Sequence, residues 1–449
     1  MSDQAKHDTA EEVVIRGGMI VTMDPAWRLL VGDVAIRSGR IVQVGGDYTP
    51  TSRSFSILDA EGSIVMPGLV QSHVHTCQTL ARGHADDLSL LDWLRRVVWP
   101  YEASLTREDV ASACRLALVE LLLGGTTAIQ DMGTVHHADA LFEVAEAAGI
   151  RALIGKAMMD EGVGVPDGLR ETTAASIEGS VALCKAWNGR DGGRLRYAFA
   201  PRFVLSCTEE LLQATCAEAR RLGARIHTHA SENRGEIEAV RKLRGDDNVA
   251  YLDKVGMTGD DVGLAHCVWL EEREREVLRR TGTHLLHCPS SNLKLASGVA
   301  SIPELRAEGI KVSLGADGAP CNNNLDAFLE MRLCGLIHKP RCGAEALPAS
   351  QVVKMATLGG AEALGLGDEI GSLELGKRGD VSVVDIQGPH VVPTESPYSA
   401  LVYACRSTDV RHVVVDGAVV VRDRNLMTLD AEKAVHDARQ RGRRIFNSL

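Results

Sequence analysis

The chain has 449 residues, 45% hydrophobic and 24% charged, with a formal net charge of −11. This is globular composition, long enough for a large barrel with an appendage. The acidic balance, the lack of a basic block and the short apolar runs speak against nucleic acid or a membrane as partner.

The N-terminus, "MSDQAKHDTAEEVVIRGG", is polar and has no apolar core of the signal-peptide kind. The first sixty-odd residues then read as short strands. "EVVIRGGMIVTMD", "DVAIRSGRIVQVGG" and "FSILDAEGSIVMPG" are rich in β-branched residues and punctuated by glycine. The same texture returns in "GDVSVVDI" and "RHVVVDGAVVVRD". One small β-sandwich domain built from both chain ends, residues 1–67 plus 368–425, accounts for both stretches.

Residues 68–367 alternate strands with amphipathic helices. The strands are "IVMPGLVQSHVH", "TTAIQDM", "RALIGKAMMD", "RLRYAFAP", "ARIHTHAS", "DVGLAHC", "THLLHCP" and "IKVSLGAD". In "TREDVASACRLALVELLLGG", Val110, Ala113, Cys114, Ala117, Leu118 and Leu121 form one stripe. Thr106 caps that helix, Glu108 and Asp109 suit its positive end, and Gly124-Gly125 stop it. Eight such units predict an α/β fold, a parallel (β/α)8 TIM barrel. The tail, residues 426–449, reads as a closing helix. Eleven scattered cysteines read as reduced, mostly buried thiols, so a cytoplasmic setting is expected.

A barrel of this kind works at the carboxyl ends of its strands. The first strand ends in His73 and His75, which alternation places on one face. The fifth carries His229 and Glu232, the sixth ends in His266 and the eighth in Asp317. A single strand-end histidine is ordinarily just a hydrogen-bonded residue. Three histidines and an aspartate converging on one rim suit one divalent metal, zinc first and ferrous iron second. Such an ion lowers the pKa of a bound water toward about 7.

"PGLVQSHVH", "HTHASE", "LAHC" and "LGADG" together resemble the metal-binding signatures of the amidohydrolase superfamily. The chain is most similar to the deaminase and chlorohydrolase branch. That branch holds the methylthioadenosine/S-adenosylhomocysteine deaminases, the s-triazine hydrolases and guanine deaminase. The resemblance implies that His73, His75, His229 and Asp317 hold the metal. It also implies that Glu232 shuttles protons and that His266 polarises substrate or water. Binuclear members carry a modified lysine on the fourth strand. Here Pro201 and Arg202 stand there, and the nearest lysine, Lys156, ends the third strand, so one ion is expected.

For the substrate, Gln78 offers a donor and an acceptor, Arg202 donors only, and Phe203 a stacking face. Together they favour a guanine- or pterin-like ring. Arg202 paired with a carboxylate and Phe203 in the core is the plainer alternative. Glu102 aligns with a glutamate that contacts ribose in nucleoside-type members, and a glutamate also follows the proline in guanine-type ones. The expected reaction is hydrolytic deamination, with ammonia released, Asp317 taking a proton from water and Glu232 protonating the ring. Adenosine-type deamination and triazine dechlorination or N-dealkylation are the alternatives, as is a non-catalytic binding protein. Expected partners are a small heterocycle and water, within a homodimer or homotetramer.

Overall fold

The computed structural model describes residues 10–449. Eight parallel strands form the barrel: β1 (Leu69–His75), β2 (Thr126–Asp131), β3 (Arg151–Met158), β4 (Leu195–Pro201), β5 (Arg225–Ala230), β6 (Val262–His266), β7 (His284–His287) and β8 (Val312–Leu314). Each pairs with the next, and the continuation of β8, Asp317–Gly318, pairs with β1 to close the ring. The break in the eighth strand has a steric reason. A Cβ at Gly315 would lie 2.6 Å from the His73 carbonyl oxygen and 2.7 Å from its nitrogen. Glycine there lets the eighth strand close directly against the histidine strand, which delivers Asp317 to His73 and His75.

One expectation needs adjusting. "IVMPGLVQSHVH" is not one strand. Ser63–Pro67 pairs with Val381–Asp385 in a separate sheet, and Leu69–His75 enters the barrel. The chain changes sheets at Gly68, where a Cβ would meet Thr127 Oγ1 at 2.1 Å.

The separate sheet has nine strands. Five come from the N-terminal stretch, between Glu12–Val21 and Ser63–Pro67, and four from the C-terminal stretch, between Val381–Asp385 and Asn425–Leu426. It folds around its own small core, with Val13, Ile15, Ile36, Leu58, Val383 and Val414 fully buried. Burial of such side chains is worth about 1.5–3 kcal/mol each. The two units are tied by charge as well. Arg151, opening β3, makes a two-pronged pair with Asp380 at 2.8 and 2.9 Å, both side chains 1% exposed.

The helix Arg107–Leu123 follows the expected pattern. Thr106 Oγ1 accepts from the Asp109 N–H, the Asp109 carboxylate accepts in return from the Thr106 N–H, and the stripe from Val110 to Leu121 is buried. Asp109 also receives Arg441 and Arg444 from the closing helix, Ala431–Ser448. No disulfide occurs among the described residues, and all eleven cysteines are free. No helix among them is long and apolar enough to cross a membrane.

Candidate active site

The histidines of β1 meet those of β5 at the carboxyl rim. His73 and His75 ring centres are 5.0 Å apart, and His75 stacks on His229. His75 Nε2 is 3.2 Å from His229 Nε2, while Asp317 Oδ1 is 3.3 Å from His73 Nε2 and 3.5 Å from His75 Nε2. Donors around a tetrahedral ion with bonds of about 2.0–2.1 Å stand about 3.3–3.4 Å from one another. Three separations among these four donors at that spacing, with no protein hydrogen-bond partner for His73 Nε2 among the described residues, fit one metal ion.

The surrounding bonds aim these donors. His229 Nδ1–H donates to the Arg202 carbonyl at 2.6 Å, which leaves the Nε2 lone pair facing the centre. His73 Nδ1 is 2.7 Å from His227 Nε2. His266 Nδ1 is 2.9 Å from Asn292 Oδ1, and Ser291 Oγ donates to Asp317 Oδ2 at 2.6 Å. His266 and Asp317 leave their strands with φ of 73° and 63°, a left-handed backbone that non-glycine residues adopt only under constraint. The rim spends local strain to point these two side chains inward.

Electrostatics separates the two carboxyls. Burial first, then the charges of Asp317 and Glu236, pushes the Glu232 carboxyl well above the usual range, against a bond from Ser297. Burial also opposes ionisation of Asp317. There His73, His266 and His75 prevail and hold it well below that range. His266 Nε2 lies between the two, 3.5 Å from Glu232 Oε2 and 3.8 Å from Asp317 Oδ2. Burial keeps His73, His75 and His229 neutral, the form that binds metal.

The residues expected to read the substrate are arranged differently. Arg202 and Phe203 do line the cavity, beside Leu90, Trp93, Leu94 and Leu295. The Arg202 guanidinium, however, is clamped on Glu102, with Nη1 to Oε2 at 2.5 Å and Nη2 to Oε1 at 3.1 Å. Gln78 Nε2 donates to the same carboxylate at 2.8 Å. Gln78 and Glu102 therefore sit behind Arg202 and do not line the cavity. The plainer reading, Arg202 paired with a carboxylate, is the observed one. Lys156 is buried against Glu171, away from the histidines.

His227, the Ser291–Asn292 pair and the apolar wall of Leu90, Trp93 and Leu94 were not assigned chemistry from sequence. His227 had the same signal as His73, two positions from another strand histidine. The wall had none, because Leu and Trp at helical spacing look like ordinary core.

The family model described as "Amidohydrolase family" matches residues 64–420. The chain is 38% identical over 434 residues to a 5'-deoxyadenosine deaminase of Methanosarcina mazei, spanning 96% of this chain and 97% of that one. It is 39% identical to a 5-methylthioadenosine/S-adenosylhomocysteine deaminase of Syntrophobacter fumaroxidans, over 97% and 98% of the two chains. An adenosine deaminase from Xanthomonas campestris, solved with bound zinc, superposes with a TM-score of 0.89 at 32% identity, covering 97% of this chain and 98% of that one. The chain belongs to the amidohydrolase family, in its branch of hydrolytic deaminases acting on carbon–nitrogen bonds.

Proposed function

We propose that this enzyme hydrolytically deaminates an adenosine-type nucleoside, with one zinc ion held by His73, His75, His229 and Asp317. The donor spacing of 3.2–3.5 Å carries the metal part of the reading. When bound, the ion supplies an acidified water.

The rest is done by the chain. Asp317, already ionised, accepts a proton from water. Glu232, held neutral, gives its proton to a ring nitrogen and so draws electrons from the carbon bearing the amine. His266 steadies the developing charge from between them. The water oxygen bonds to that carbon, the proton held by Asp317 passes to the amine, the C–N bond breaks and ammonia leaves, and the new hydroxyl returns a proton to Glu232 as it becomes the ring carbonyl. Paired carboxyls pushed to opposite extremes are how one site holds an acid and a base at neutral pH.

The substrate reading moves from guanine or pterin to an adenosine-type ring for two reasons. Arg202 is committed to Glu102, so the case for a carbonyl reader falls away. The relatives named above, at 38% and 39% identity, are adenosine-type deaminases. The shape agrees. The inner cavity holds only about 30 Å³, and beyond Phe203 lies an outer groove of about 570 Å³ lined by Leu91, Trp99, Val163, Leu205 and Leu243. A mainly apolar groove that also carries Arg95, Glu161 and Lys242, next to the ring site, suits a nucleoside with an extended 5′ substituent. The Leu94–Val98 turn beside the cavity is π-helical, a form frequent at functional sites.

The test is ammonia release from 5′-deoxyadenosine, 5′-methylthioadenosine, S-adenosylhomocysteine, adenosine, guanine and a chlorotriazine. The highest kcat/KM is expected on a 5′-modified adenosine. Guanine as the best substrate, or chloride release, would reject this reading.

A further inference from the structure

A second cluster of metal-ligating side chains lies outside the active site. His287 ends β7, and Cys334 and His338 are one turn apart at the end of the helix Ala327–Ile337 and just beyond it. That spacing places the thiol and the imidazole on one face. All three side chains are fully buried, and one ligand atom from each lies within 4.8 Å of the others.

What sets this cluster apart is its hydrogen bonding. Neither nitrogen of His287 nor either nitrogen of His338 has a hydrogen-bond partner among the described residues. A neutral imidazole carries one donor and one acceptor, and buried polar groups are almost always satisfied. Two adjacent, fully buried rings with four idle nitrogens call for a ligand. We propose that His287, Cys334 and His338 form a second, non-catalytic zinc site behind the seventh barrel strand.

The donor chemistry supports zinc. Two imidazole nitrogens and one thiolate form a set that zinc accepts, with donors about 3.3–3.8 Å apart for bonds of about 2.0–2.3 Å. The three donor atoms already lie within 4.8 Å of one another. The fourth position is left for water. Glu330, one turn before Cys334, is not available, because Ser290 and Asn322 already bond its two oxygens. Binding releases the Cys334 proton to solvent. The charges acting on His338 are Arg341 and Glu304, a half-exposed ion pair that marks the solvent side of the site. Its consequence is mechanical. Four and five residues after His287 come Ser291 and Asn292, which hold Asp317 and His266. An ion here ties the base of the short helix Pro289–Lys294, which carries both residues, to the neighbouring helix.

The test uses cobalt(II) and zinc on the full-length enzyme. The catalytic donor set contains no sulfur, so thiolate-to-cobalt charge-transfer absorption in the near ultraviolet reports the second site alone. Wild type is expected to show that absorption and to bind two zinc ions per chain. Cys334→Ser, nearly isosteric, is expected to lose the absorption and one ion while keeping the other, and His338→Asn to lower occupancy likewise. Absence of the absorption in cobalt-loaded wild type would overturn the proposal without recourse to any variant. So would its persistence in Cys334→Ser.

Discussion

His75 Nε2 and His229 Nε2 stand 3.2 Å apart although 154 residues separate them in sequence. Without a cation this is an N–H···N hydrogen bond; with His229 Nδ1–H already donating to the Arg202 carbonyl, a cation between the rings would be held by both Nε2 lone pairs. Asp317, brought in by the strand that closes the barrel, places Oδ1 3.5 Å from His75 Nε2.

The metal prediction follows. In the Cys334→Ser background, which removes the proposed second site, one ion per chain is expected. His75→Asn should lower that occupancy, and chelation should abolish deamination. Elemental analysis alongside an ammonia assay measures both. Full activity in a metal-free preparation would refute the site assignment.

Glu232 separates binding from chemistry. Glu232→Gln keeps the shape and removes the transferable proton, so activity should fall by about 10²–10⁴-fold. Metal content should stay at the wild-type level, since Glu232 contacts His266 and Ser297 and no expected ligand more closely. Loss of metal along with activity would make Glu232 a ligand support.

Arg202 and Glu102 form a buried pair, with side chains 4% and 0% exposed. Arg202→Met should cost about 3–5 kcal/mol of stability, because it strands a buried carboxylate. Adding Glu102→Gln should recover most of that loss, and the pair should show strong coupling in a double-mutant cycle. Denaturant unfolding measures it. Equal, additive losses would show that the pair is not a unit.

The barrel was legible because its eight short apolar strands, their helices and their turns each carried a local signal. The rim was legible because histidine and aspartate are rare at strand ends and recurred there. What sequence withheld was pairing across distance. Nothing near Arg202 signals that Glu102, a hundred residues earlier, would claim it. Pro67-Gly68 marks a break in the apolar run, but nothing there signals that its two halves serve different sheets. The same blindness hid His287 and Cys334, whose contact exists only after β7 and a later helix pack together.

The last prediction concerns pH and stability. Glu330 is fully buried, and burial raises its carboxyl from 4.5 to about 7, against bonds from Ser290 and Asn322. Between those values the folded state holds a proton that the unfolded state has released. Stability must therefore fall with rising pH across that window. The contribution of Glu330 is fully present below about 4.5 and is lost as pH rises through about 7. At about 1.4 kcal/mol per pKa unit, the full swing is about 3 kcal/mol. Glu330→Gln cannot ionise. It changes the hydrogen bonding by a constant amount, but it removes this slope. Unfolding free energies of wild type and variant should therefore converge or cross as pH climbs from 4.5 to 7, with wild type losing ground. The difference between the two curves isolates Glu330 from every other titrating group. A difference that stays flat across the window would mean that Glu330 is ionised throughout, with Ser290 and Asn322 compensating its burial completely.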